Sequence, residues 1–187
     1  MLNYNSVIKN EMKQESISVK EISPVIKINL RGKKREFLTN VGKNLNMILP
    51  TEANTSSMSD KLTAIWLSPD EWMIVSNEIS SKDTNKHELY EMLFNSISKT
   101  NLGAVIDVTD QFVQLELKGE NVYEIFSAGS PFNFNEFKEK KGSTTQTVLN
   151  HIDVILHHKD ENILNLFVRR SFAEHLFSWI EDCTSRL

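Results

Sequence analysis

The chain has 187 residues, 40% of them hydrophobic, and a formal net charge of −4 from 21 Lys+Arg against 25 Asp+Glu; at about 150 residues per domain this is one domain or two small halves, long enough to bury a core without metal or disulfide staples. The acidic balance lacks the basic footprint of a general nucleic-acid binder, and a single cysteine permits no internal disulfide and suits a reducing compartment. No run approaches the roughly 18 apolar residues of a membrane span, and the start, MLNYNSVIKNEMKQ, has no signal-like apolar stretch, so a cytoplasmic protein is expected.

Residues 1–21 are polar and aperiodic, which predicts a flexible N-terminal arm ahead of a domain spanning 22–187. Ile26, Ile28 and Leu30 alternate with Lys27 and Asn29 at the period of a half-buried strand. Phe37, Leu38, Val41 and Leu45 follow at helical spacing, and the polar stretch from Pro50 to Asp60 reads as a loop. Two strands, Leu62 to Leu67 and Trp72 to Ser76, flank Ser68-Pro69-Asp70-Glu71, where Pro presets φ and Asp accepts free amides.

A helix from Thr84 to Lys99, capped by Asp83 or Thr84, carries Leu89, Met92, Leu93 and Ile97 as its apolar stripe. Ala104 to Val108 and Val113 to Leu117 are strands. The next helix, Asn121 to Ala128, has Gly129 as the residue after its end and Pro131 as a stop. Strands over Thr144–Leu149, Ile152–His158 and Ile163–Val168 precede a final helix. Ser171 and Glu174 have the spacing of a capping box, and Phe172, Leu176, Trp179, Ile180 and Cys183 form the inward stripe. The order is β-α-β-β-α-β and then β-α-β-β-β-α, with halves at about 22–109 and 111–187. It predicts an α+β fold of pseudo-duplicated β-α-β-β units, mostly antiparallel, with helices on one face of the sheet.

Residues fit for chemistry are sparse. Cys183 lies on an apolar stripe with nothing near it in sequence to lower its pKa. G-x-S-x-G, GxGxxG and GxxxxGK[ST] are all missing, so no nucleophile elbow or phosphate cradle is legible. His151, Asp153 and His157 share one side of an extended segment, but the set lacks a fourth ligand, so no metal is expected and this side is read as wet. His87 and His175 fall on polar helix faces. Arg169 and Arg170 precede the last helix, where they suit either an anion or a carboxylate of this chain or of a partner subunit. Trp66 and Trp72 flank the Ser-Pro-Asp-Glu turn and are read as core residues or as interface anchors.

The string Ala64 to Ile74, AIWLSPDEWMI, resembles the "alWLGPDEWLL" signature of the sarcosine oxidase gamma subunit family, and Val168 to Ala173 with Trp179-Ile180 resembles its closing "v.RSFA...W.wL". Asp107-Val108-Thr109 and Leu115 to Gly119 resemble "DvS....l.l.G", a pattern shared with the wider aminomethyltransferase-like group. Ser130 to Phe134, with Phe137 and Gly142, is similar to "cplDL…F..G". Ser68, Ser130 and Asn133 stand where the family usually has Gly, Cys and Asp.

The resemblance covers residues 25–183 and implies a fold like the folate-binding domain of that group. It also implies membership of a heterotetramer with alpha, beta and delta subunits. That assembly demethylates sarcosine to glycine and passes the methyl carbon to tetrahydrofolate. Flavins, NAD, tetrahydrofolate and zinc are implied for the partner subunits, and no cofactor or catalytic residue for this chain. The competing reading is a free-standing tetrahydrofolate-binding protein of the same fold.

Overall fold

The computed structural model describes residues 4–77 and 88–186, and all strand pairing within them is antiparallel. The α+β class stands. The chain divides into two compact units, one of residue 4 with 24–110, the other of 5–23 with 111–186.

The segment expected as a loose arm instead supplies β1 (Met12–Lys13) and β2 (Ser18–Glu21) to the second unit. Ile8, Met12, Ile17 and Val19 are buried there, and Val19 lies opposite Leu117. Strands this short, set among polar residues, leave no periodic run to read. Their apolar side chains find a core only through a partner strand about a hundred residues later.

The first unit begins with β3 (Lys27–Arg31), whose Ile28 and Leu30 face the core. Helix α1 (Arg35–Leu45) buries Phe37, Val41 and Leu45 and ends at Asn46, with φ of 49°. An unforeseen strand β4 (Ser56–Met58) lies inside the expected loop and pairs with β5 (Leu62–Ser68). A Pro69-Asp70 turn joins β5 to β6 (Glu71–Ser76), with Ser68 opposite Glu71. Helix α2 (Glu88–Leu93) runs into a π-helical turn, Phe94–Ser98, although an α-helix was expected throughout. Leu93 and Ile97 are fully buried there. Its expected start at Thr84 and caps, with His87, lie outside the described residues. β7 (Ala104–Asp107) completes a sheet of order β4-β5-β6-β3-β7.

The second unit contains β8 (Phe112–Lys118), α3 (Val122–Gly129), a short α4 (Asn135–Glu139) that was not foreseen, β9 (Thr144–Leu149), β10 (Ile152–Asp160), β11 (Ile163–Arg169) and α5 (Ala173–Thr184). Its sheet order is β1-β2-β8-β11-β10-β9. Leu115, Leu117, Leu156, Leu166 and Val168 face Ile125, Phe126, Leu176 and Ile180 of the helices in one core.

Two helix ends differ from expectation. Gly129 is the last residue of α3 rather than the residue after it; a Cβ there would sit 2.5 Å from the Trp179 ring, so close packing explains the glycine. At the other end, Arg170–Phe172 form a 3₁₀ turn and α5 starts at Ala173 with no side-chain cap bond. The Ser171–Glu174 box is therefore not formed. Phe172, expected inward, is 47% exposed, because the tighter turn rotates it off the stripe.

Candidate functional site

Arg169 ends β11 opposite Phe112 on β8. Val168 pairs with Val154, so the antiparallel register brings Arg169 alongside Asp153 of β10. These residues share the sheet face away from the helices. With Gln146, Val148 and Ile155 they line a pocket of about 470 Å³. Arg169 is exposed. Arg170 is half-buried and turns elsewhere: its side chain donates to the Asn5 carbonyl, and its backbone N–H donates to Gln111 O at 2.9 Å. The two guanidinium groups thus separate. Arg170 ties the N-terminal segment to β8, and Arg169 faces the pocket.

The tryptophans also separate. Trp66 and Trp72 are cross-strand partners, and Trp72 is 2% exposed, its indole N–H donating to Pro50 O at 2.7 Å. Trp72 is a core residue, which leaves no surface for a partner. Trp66 is half-buried against the same core.

The rest of the Ser-Pro-Asp-Glu-Trp string works as a hairpin tie. The Ser68 hydroxyl donates to Asp70 Oδ1 at 2.9 Å, and Arg31 and Lys33 approach the other oxygen at 3.6 Å. The Ser68 bond, followed by the two cations, holds the Asp70 carboxyl below its ordinary pKa despite some desolvation. The Asp107-Val108-Thr109 string is similarly structural. Asp107 Oδ1 accepts from Thr109 N–H at 2.9 Å, and Thr109 Oγ1 accepts from Lys27 N–H at 3.0 Å.

Asp153 and His157 share one face of β10, but His151 does not join them. His151 lies in the β9–β10 turn with φ of 64°, Asp153 is exposed, and His157 is 1% exposed. The face expected to be wet is buried along much of its length, at Gln114, Glu116, Ile155, Asn165 and Phe167. Burial, then Lys159 and His158, pushes the His157 pKa down to about 4. Among the described residues, no group of three or more His, Cys, Asp or Glu is arranged to hold a metal ion. Cys183 is half-buried, and desolvation followed by Asp182 raises its pKa, which disfavours thiolate chemistry.

Sequence reading missed Glu116. It alternates with the apolar Leu115 and Leu117, the pattern of a polar face, yet it is 7% exposed and meets Lys118 at 3.0 Å, Lys20 at 3.4 Å and Lys159 at 3.5 Å. Burial raises its pKa, but the three cations, Lys118 foremost, bring it below the ordinary carboxylate value. Lys118 lies two residues along the same strand, but only the order β2-β8-β11-β10 brings Lys20 and Lys159 to it, so the sequence held no local signal for the hub.

The family model described as the sarcosine oxidase, gamma subunit family matches residues 32–186. The chain belongs to that family. The gamma-family fold here is similar to a chain of the heterotetrameric sarcosine oxidase from Corynebacterium sp. U-96, solved in complex with pyrrole 2-carboxylate. The TM-score is 0.82 at 20% identity, over 94% of this chain and 88% of that one. It is also similar to the glycine cleavage system aminomethyltransferase T from Bartonella henselae, with a TM-score of 0.64 at 18% identity, over 88% of this chain and 45% of that one. No curated protein matches the sequence significantly.

Proposed function

We propose that this gamma-family chain is a non-catalytic accessory subunit of a cytoplasmic heterotetrameric sarcosine oxidase, assembled with alpha, beta and delta subunits. In this reading the assembly demethylates sarcosine to glycine and transfers the methyl carbon to tetrahydrofolate. Its flavins, NAD, tetrahydrofolate and zinc are held by the partners. The observation that carries the reading is fold agreement along 94% of this chain and 88% of a sarcosine oxidase chain, on top of the family match. The family strings support it as well: Trp72, Asp70 and Thr109 are occupied in holding turns and core. Arg169, exposed on a shallow pocket, is the docking contact in this reading. No helix among the described residues is long and apolar enough to cross a membrane.

Co-expression with alpha, beta and delta subunits tests this. The expected result is stoichiometric co-purification, with sarcosine-dependent peroxide from the assembly and neither flavin absorbance nor peroxide from the lone chain. Turnover by the lone chain at a rate comparable with the assembly would overturn it. The likeness to aminomethyltransferase T favours one other reading, a free-standing tetrahydrofolate-binding protein; tight folate binding by the isolated chain without co-purification would establish that instead.

A further inference from the structure

A second cleft, of about 760 Å³, shares no lining residue with the Arg169 pocket. It lies between α3, the turn into α4 and the β10–β11 turn. Its wall is aromatic: Phe132 and Phe134 pack at 5.0 Å between ring centroids, and Tyr123 and Phe134 at 5.9 Å.

Two polar groups among these rings lack a full set of partners, and one of them is open to the cleft. His158 is 4% exposed, and its Nδ1 lies 3.2 Å from Phe137 O and 3.1 Å from Lys140 O. Carbonyl oxygens only accept, so Nδ1 carries the proton, and Nε2 of the neutral ring is an acceptor. Nε2 has no hydrogen-bond partner among the described residues and is not sealed from the cleft that His158 lines. The Tyr123 ring meets His158 edge-on at 6.2 Å, and its hydroxyl is buried with no partner among the described residues. A donor entering the cleft can complete the acceptor at Nε2, whereas the Tyr123 hydroxyl is sealed from it.

The rim defines that chemistry. Glu120, Glu124, Glu139 and Glu161 stand against Lys138, an excess of negative charge that repels anions. The Nε2 lone pair calls for a donor, and aromatic faces attract cations. A bare metal ion lacks its ligand set, since no cluster of three or more His, Cys, Asp or Glu converges among the described residues. We propose that this cleft binds an organic cation that donates an N–H hydrogen bond to His158 Nε2 and packs against the aromatic wall. Its head is an ammonium, amidinium or guanidinium on a flat or apolar body. Such a head reaches the site on a free small molecule or on a basic side chain of a partner.

Benzamidine, with neutral benzamide of the same shape as control, is the probe for calorimetric titration of the full chain. Benzamidine should bind at least about tenfold tighter than benzamide, and added salt should weaken it. The Glu120→Gln/Glu124→Gln pair should lower the affinity about tenfold with little change in melting temperature. The wild-type imidazole ¹⁵N spectrum gives a readout free of any variant: the His158 Nε2 signal moves on binding, and the Nδ1 signal stays. Equal affinity for benzamide, no saturable benzamidine binding, or an unmoved Nε2 signal each overturns the proposal. The titration uses the lone chain, so it stands or fails independently of the assembly reading. Where co-expressed subunits assemble, benzamidine binding that persists points to a free ligand. Loss of binding on assembly points to a partner's lysine or arginine.

Discussion

His157 is kept neutral by burial, with a pKa pushed from 6.5 down to about 4. Above pH 6.5 the folded and unfolded chains are both neutral at this ring, and its contribution to stability is fully present. As pH falls from 6.5 towards 4 the unfolded chain takes up a proton that the folded chain refuses, so stability falls. At 1.36 kcal/mol per pKa unit, the full loss is about 3 kcal/mol, of which about 2 kcal/mol is gone by pH 5. Urea unfolding at pH 7 and pH 5 reads this directly; in His157→Asn the difference between the two pH values should shrink, and an unchanged difference would sink the assignment. Gly119 is a second decisive residue. Its φ is 139°, and a Cβ would sit 2.0 Å from the Ser16 carbonyl oxygen. Gly119→Ala should therefore cost more than about 1 kcal/mol in urea unfolding.

Helix α5 separates what a stripe encodes from what a cap encodes. Leu176 and Ile180 are fully buried in the core, as their spacing predicts. Leu176→Ala leaves a cavity and should cost roughly 2–5 kcal/mol. Ser171, by contrast, sits in a 3₁₀ turn and makes no cap bond, so Ser171→Ala should change stability by less than about 0.5 kcal/mol. A loss above 1 kcal/mol, on the order of a real cap, would contradict the 3₁₀ lead-in. The same distinction governs α2. Leu93 and Ile97 of its expected stripe are buried while Met92 is 37% exposed, and the π-helical turn at Phe94–Ser98 is not legible, because one extra residue per turn barely disturbs so short a stripe.

Over the whole molecule, the adjacent arginines divide between fold and assembly. Arg170 binds the Asn5 carbonyl and holds the N-terminal segment, so Arg170→Ala should cost at least about 1 kcal/mol of folding stability. Arg169 is exposed, so Arg169→Ala should leave the melting temperature of the lone chain nearly unchanged. If Arg169 is a desolvated contact in the assembly, the same change should weaken association by about 2–5 kcal/mol. Melting of each variant, beside pull-down of co-expressed subunits, checks both. Unaltered pull-down with Arg169→Ala would remove that residue from the interface.

The sequence by itself determined the elements that carry their own periodicity: β3, α1, the β5–β6 hairpin, β8 to β11 and the buried stripe of α5. Each is long enough for apolar residues to repeat on one face, and its turns use Pro and Asp in their ordinary roles. The motif residues from Ala64 to Ile74 and from Val168 to Ala173 were enough to place the family. Tertiary structure alone decided the rest. β1 and β2 became strands because β8 offered them an edge, and Glu116 became a buried hub because β2 and β10 brought Lys20 and Lys159 to join Lys118 of its own strand. Trp72 lost any role at a surface when Pro50 took its indole N–H. His158 acquired an open acceptor when two carbonyls claimed its Nδ1. In each of these cases the deciding group lies well over ten residues away along the chain. Periodicity records which face of an element is apolar, but not which distant group will meet a polar one.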